Sequence, residues 1–305
     1  MFKKITMKYS FSKIALGTII SVSSLALYSC GGDSKEGGEM NAADSAASNV
    51  TKAKAQKVFY AIPSPIEMSN IIKNCGANYN KDILNAIENV SKYSSNTKKA
   101  FNLGVYGADL AYTSIFDQTQ ESMFYMGNCK KLADGLGVTG AFTPEMISRI
   151  EASSNNKDSL LVIISDSYLA TDAYLKENDR ANVSRLVIAG GWLEGLYIST
   201  RIAKANPKNE VILKSIAEQK LSLTNLIGLI ESYPADDGVT EVLNDLKAIN
   251  SIYEGVSQTS TPSEGETTSK EGTPTVGKGG EIKASPEQIT AIITKVDEIR
   301  TKWTK

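Results

Sequence analysis

The chain contains no histidine. That absence removes Ser-His-Asp and Cys-His catalysis, HExxH zinc sites and His-ligated haem in one step. Cysteine is scarce: three in 305 residues, with no CxxC spacing and hence no redox dithiol motif. Neither sign of charge is in excess, with 33 Lys and Arg against 34 Asp and Glu. A net charge of −1 gives no basis for a nucleic-acid partner, which needs a basic surface. Phosphate loops are missing too. Gly104-Val105-Tyr106-Gly107 and Gly135-Leu136-Gly137 are too short and follow no strand pattern. The acids Asp158, Asp166, Asp172 and Glu177 lack calcium-loop spacing and read as the solvated face of a helix. No metal and no cofactor are expected.

What is present begins with an address. Lys3, Lys4, Lys8 and Lys13 precede an almost uncharged run over 14–28, followed by Ser29-Cys30-Gly31-Gly32. The order basic, apolar, small, cysteine is that of a secretory signal, and the apolar run is short for a membrane span. Leu27-Tyr28-Ser29-Cys30 resembles the lipobox of bacterial lipoproteins, in which the cysteine thiol is acylated and becomes the new N-terminus. Residues 1–29 are therefore expected to be a lipoprotein signal peptide and Cys30 the lipidation site, carrying palmitate-type chains. Loss of the signal removes four lysines and no acid, so the mature chain has little electrostatic attraction to anionic lipid. Its membrane partner is reached through the acyl anchor. The stretch 30–57 has almost nothing to bury and reads as a flexible tether. Its start, Gly31-Gly32-Asp33-Ser34-Lys35-Glu36, is similar to the acidic signals that move some Gram-negative lipoproteins to the outer membrane.

Beyond the tether the apolar share, 41% overall, recurs at three- and four-residue spacing. The spacing predicts an all-α, multi-helix bundle with helices over 65–74, 81–94, 97–116, 118–136, 144–153, 157–177, 180–205, 207–232 and 237–255. Ser64-Pro65, Thr143-Pro144 and Ser285-Pro286 each place a hydroxyl before proline, with an acid in the first turn. Three segments pair in order along the chain. Ser64-Pro65 with Glu67-Met68 pairs with Thr143-Pro144-Glu145-Met146. Asn80-Lys81-Asp82 pairs with Asn156-Lys157-Asp158, and Gly107 to Tyr112 pairs with Trp192 to Tyr197. Two similar helical halves follow as an expectation, 58–140 and 141–256. The Ser-, Thr-, Gly- and Glu-rich stretch 257–284 is expected to be a disordered linker. A final helix over 285–305 carries an apolar stripe, Ile289, Ile293, Val296 and Ile299, which needs the bundle or a partner to cover it.

Two acids stand where apolar residues are expected. Asp109 lies between Val105, Tyr112 and Phe116 on a helical face. Glu194 shares a face with Val187, Gly191, Ile198 and Ile202. Neither has a Lys or Arg one turn away, so each must keep a proton or find a partner on another helix. One reading is a site between the halves, with Asp109 and Glu194 as a carboxylate pair and Tyr112 and Tyr197 as donors, serving a His-free hydrolase. The preferred reading is packing, with the acids satisfied by Tyr hydroxyls or by Arg149, Arg185 or Arg201. The nearby glycines, Gly104, Gly107, Gly190, Gly191 and Gly195, then serve close helix contact. Cys75 and Cys129 either form a disulfide, contributing about 4 kcal/mol on the chain-entropy model, or remain buried thiols. Most of the 13 tyrosines are expected at the boundary of the bundle with wet hydroxyls.

The segments Ile62-Pro63-Ser64-Pro65, Gly104-Val105-Tyr106-Gly107-Ala108-Asp109 and Ala189-Gly190-Gly191-Trp192-Leu193-Glu194-Gly195-Leu196-Tyr197 together resemble a family of uncharacterised helical bacterial envelope lipoproteins. The resemblance covers most of 58–233. It implies a helical envelope lipoprotein and brings no activity, substrate or site residue. The expected function is that of a lipid-anchored envelope protein that binds or scaffolds, with an envelope protein or a small ligand as partner.

Overall fold

The computed structural model describes residues 62–138, 157–232, 234–259 and 281–305, with isolated positions 145, 148, 149 and 152. The signal peptide, Cys30, the tether, most of the helix expected over 144–153 and most of the 257–284 linker lie outside the described residues. Within them the protein is all-α, with one small two-stranded sheet.

Helix α1 (Pro65–Asn74) starts at a capping box, Ser64 with Glu67, and Pro65 at its first position removes an amide that would have no partner. Helices α2 (Asn96–Ile115) and α3 (Thr119–Leu136) follow, then α4 (Lys157–Glu177), α5 (Ala181–Ala205), α6 (Glu210–Glu231) and α7 (Asp237–Glu254). The last helix, α8 (Pro286–Thr304), repeats the capping box with Ser285 and Gln288. Helices α2 and α5 are buried on nearly every side and make the most extensive contact in the molecule. Helices α1, α3 and α4 pack on α2, and α6, α7 and α8 pack around α5.

The α2–α5 contact is close because two glycines permit it. A Cβ at Gly104 would overlap the Val187 carbonyl oxygen, and one at Gly190 would overlap the Phe101 carbonyl oxygen. Gly107, by contrast, has open space where a Cβ would stand. The backbones therefore touch at Gly104 and Gly190 rather than along the whole glycine-bearing stretch.

Three expectations are corrected. No helix forms over 81–94. Two 3-10 turns, Lys81–Ile83 and Ile87–Lys92, flank an extended stretch at 84–86. Its carbonyls are claimed by side chains of the bundle: Tyr125 donates to Asn85, Tyr106 to Ala86 and Asn128 to Ile87. The ends of the linker are ordered as well. Strands β1 (Ser257–Thr259) and β2 (Glu281–Lys283) pair antiparallel, with buried Val256 and Ile282 beside them. Among the described residues most tyrosines are core residues: Tyr93, Tyr106, Tyr112, Tyr125, Tyr197 and Tyr253 are all buried.

The paired segments of the two expected halves behave differently from one another. Asn80-Lys81-Asp82 opens a 3-10 turn, whereas Lys157 and Asp158 begin the long helix α4. Gly107 to Tyr112 and Trp192 to Tyr197 both lie in the middle of the central helices.

Candidate functional site

The close approach at Gly104 and Gly190 brings Asp109 of α2 and Glu194 of α5 together in the seam. Both are wholly buried, and they lie close enough for the charge of Glu194 to act on Asp109. A third charged group comes from α8. Arg300 donates from Nη2 to Glu194 Oε1 at 2.9 Å and from Nε to Oε2 at 3.1 Å, a two-pronged ion pair. Glu194 is thereby defined as a carboxylate with both oxygens engaged. Asp109 Oδ2 accepts from the Asn85 amide at 3.3 Å, while Oδ1 has no donor among the described residues.

These contacts decide the protonation. Burial is the main force raising the Asp109 carboxyl well above the usual carboxylate range, and the adjacent Glu194 charge adds to it. Arg300 and the Asn85 amide work in the opposite direction and are outweighed. A proton on Asp109 makes it an uncharged acid beside the Glu194 carboxylate. The cluster is then an acid, a carboxylate and a guanidinium, with no net charge. Arg300 itself is held above its ordinary value because Glu194 and Asp109 outweigh the effect of its burial.

Around the acids stands a cage of aromatic residues. Tyr93 and Tyr106 have ring centroids 6.2 Å apart, and Tyr106 and Tyr125 are 5.9 Å apart. Their hydroxyls converge on the loop: Asn85 Nδ2 donates to Tyr93, which donates to the Thr304 carbonyl at 3.1 Å. Burial pushes the phenols of Tyr79, Tyr93, Tyr106 and Tyr125 and the Cys129 thiol upward, so all stay neutral near the acids. Two guanidinium groups stand against the Tyr197 ring, Arg300 at 4.4 Å and Arg201 at 4.7 Å from its centre.

Several assignments from the sequence are corrected here. Tyr112 gives the acids no hydroxyl. It accepts from the Asn80 amide at 3.0 Å and donates to the Asn78 carbonyl. Tyr197 offers Arg300 its ring face. None of the three arginines singled out binds the acids. Arg149 pairs with Asp166, Arg201 with Asp297, and Arg185 donates to the Ile230 carbonyl in the last turn of α6 and to the Pro234 carbonyl beyond it. The partner is Arg300, which follows the last residue of the α8 apolar stripe and stands one turn after Val296. That position beside a buried stripe was the available signal. Asn85 was missed for a different reason: the residue acts through its backbone, which no side-chain pattern reports. Cys75 and Cys129 are free thiols, with Cys75 donating to the Ile72 carbonyl at 2.9 Å, so the disulfide alternative is not realised.

Chemically the cluster is closed. A hydrolase needs its two carboxyls to meet a substrate, and these meet each other and an arginine instead. The open recesses lie elsewhere. A groove of about 480 Å³ runs between Ala203, Leu213, Ile289 and Ile293, and a polar recess of about 500 Å³ lies by Lys98, Glu241 and Lys302. Among the described residues no cluster of three or more Cys, Asp or Glu could hold a metal ion, and no helix is long and apolar enough to cross a membrane. Compared with protein-family models, curated proteins and solved structures, the chain gives no significant match.

Proposed function

We propose that the protein is a lipid-anchored component of the bacterial cell envelope, attached to the outer membrane through Cys30, that works by binding or scaffolding. The observation that carries the non-catalytic part is the occupied acid pair. Asp109 and Glu194, the strongest candidates for chemistry in the sequence, are fully buried, and Glu194 is bound through both oxygens. Their arrangement fixes three helices against one another and leaves no carboxyl open to substrate. The anchoring part rests on the Leu27-Tyr28-Ser29-Cys30 sequence and the polar stretch behind it. Such an anchor needs more than one acyl chain for stable attachment, which the diacylglycerol chemistry of a lipobox cysteine supplies.

The test is metabolic labelling with a palmitate analogue in cells producing the full chain. Label in the wild type, none in Cys30→Ser, and release of that variant from the membrane fraction are expected. A variant that keeps the label, or an unlabelled wild type, contradicts the reading.

A further inference from the structure

Helix α8 is held differently from the other two members of the acid cluster. Helices α2 and α5 share the most extensive packing in the molecule, with backbones in contact at Gly104 and Gly190. Helix α8 rests on one apolar face, Ile289, Ile292, Val296 and Ile299. Its C-terminal end is fixed by Arg300 to Glu194, by Trp303 stacked on Phe101 at 4.9 Å, by Lys302 and the Trp303 indole bonded to Asp245 of α7, and by two carbonyls that accept from Asn102 and Tyr93. The ladder pairing Thr259 with Glu281 returns the chain to the bundle before α8 begins, and Gln288 in the first turn of α8 donates to the Gly255 carbonyl, so the start of the helix is anchored apart from its Arg300 end.

We propose that α8 is a proton-dependent latch, seated while Asp109 carries its proton and loosened at its Arg300 end when that proton leaves. With the proton in place the cluster is neutral. Its loss puts an uncompensated negative charge in a fully buried seam beside a second carboxylate, and burying such a charge is costly. Arg300 offsets it only in part, because its Nε and Nη2 are bonded to Glu194 and one guanidinium cannot neutralise two carboxylates. Relief requires water. Separating α2 from α5 to admit it breaks the largest interface, whereas lifting the end of α8 breaks the Arg300–Glu194 pair, the Trp303–Phe101 stack, the bonds of Lys302 and Trp303 to α7 and two hydrogen bonds to α8 carbonyls.

The groups facing the acids leave Asp109 as the switch. From α2 comes Tyr106, and from the loop before it Tyr79 and Tyr93. Helix α3 brings Tyr125 and Cys129, with Glu121 near Tyr79. Helix α5 brings Glu194, Tyr197 and Arg201, and α8 brings Asp297 and Arg300. The phenols and the thiol are all pushed upward and keep their protons where Asp109 gives its own up.

Amide hydrogen exchange of the full chain, followed from about pH 5 to pH 9 with rates normalised to intrinsic exchange, tests this. Protection of α8 is expected to fall by about tenfold for each pH unit above the Asp109 titration, the limit for one proton, while α2 and α5 hold theirs. In Asp109→Asn the protection of α8 is expected to stay level. Unchanged protection in the wild type, or the same fall in Asp109→Asn, overturns the latch. Should Asp109→Asn fail to fold, Glu194→Gln serves instead. It removes the charge beside Asp109 and is expected to move the step to lower pH, and an unmoved step is equally fatal.

Discussion

At the scale of single residues, Asp109 and Glu194 differ in what pH does to them. Glu194 is a carboxylate held by Arg300, whereas burial and that adjacent carboxylate hold the Asp109 carboxyl well above the usual carboxylate range. A folded-state value raised above the unfolded one stabilises the fold at low pH. That contribution is fully present below the ordinary carboxylate range and is lost as pH rises through the folded value. Asp109→Asn, which cannot ionise, is therefore expected to flatten the fall in stability above about pH 5 and to exceed the wild type at pH 8. Thermal melts across that range check it. Arg300 has the opposite character. Replacing it with Met strands Glu194 as a buried charge and is expected to cost about 3–5 kcal/mol in urea unfolding. Removing both charges with Glu194→Leu and Arg300→Met is expected to recover most of that loss, and the difference measures the coupling.

At the scale of helices, the seam between α2 and α5 sets the geometry of everything around the acids. Gly104→Ala and Gly190→Ala each drive a methyl into a facing carbonyl. Each is expected to cost about 1–3 kcal/mol or more as an overpacked contact. Gly107→Ala meets open space and is expected to stabilise by up to about 1 kcal/mol through helix propensity. Calorimetry on the three variants separates contact from propensity. The sequence made part of this legible. Ser64-Pro65 and Ser285-Pro286 marked true helix starts, because an N-cap is local chemistry. The stretch 81–94 was misread as a helix, because its apolar spacing says nothing of the Tyr106, Tyr125 and Asn128 side chains that take its carbonyls. The strands at either end of the linker were missed for a related reason. Three residues each, they depend on a partner more than twenty positions away and on burial of Val256 and Ile282.

At the scale of the whole molecule, the burial of Asp109 and Glu194 was legible in the sequence, since each shares a helical face with apolar residues and has no Lys or Arg one turn away. The identity of their partner was not. Arg300 reaches Glu194 from 106 positions along the chain, and only the folded path brings α8 there. The same path explains why three helices from distant parts of the sequence act as one unit. Asp109, Glu194 and Arg300 join α2, α5 and α8, and the Asn85 loop ties α3 to them through Tyr125. The behaviour of this unit therefore turns on a proton at one carboxyl group. The carboxyl carbon-13 shift of Asp109, assigned by its loss in Asp109→Asn, reads that proton directly. A protonated carboxyl at about pH 5, where an ordinary aspartate is ionised, is the expected result. A carboxylate shift at that pH, titrating in the ordinary range, would contradict the account.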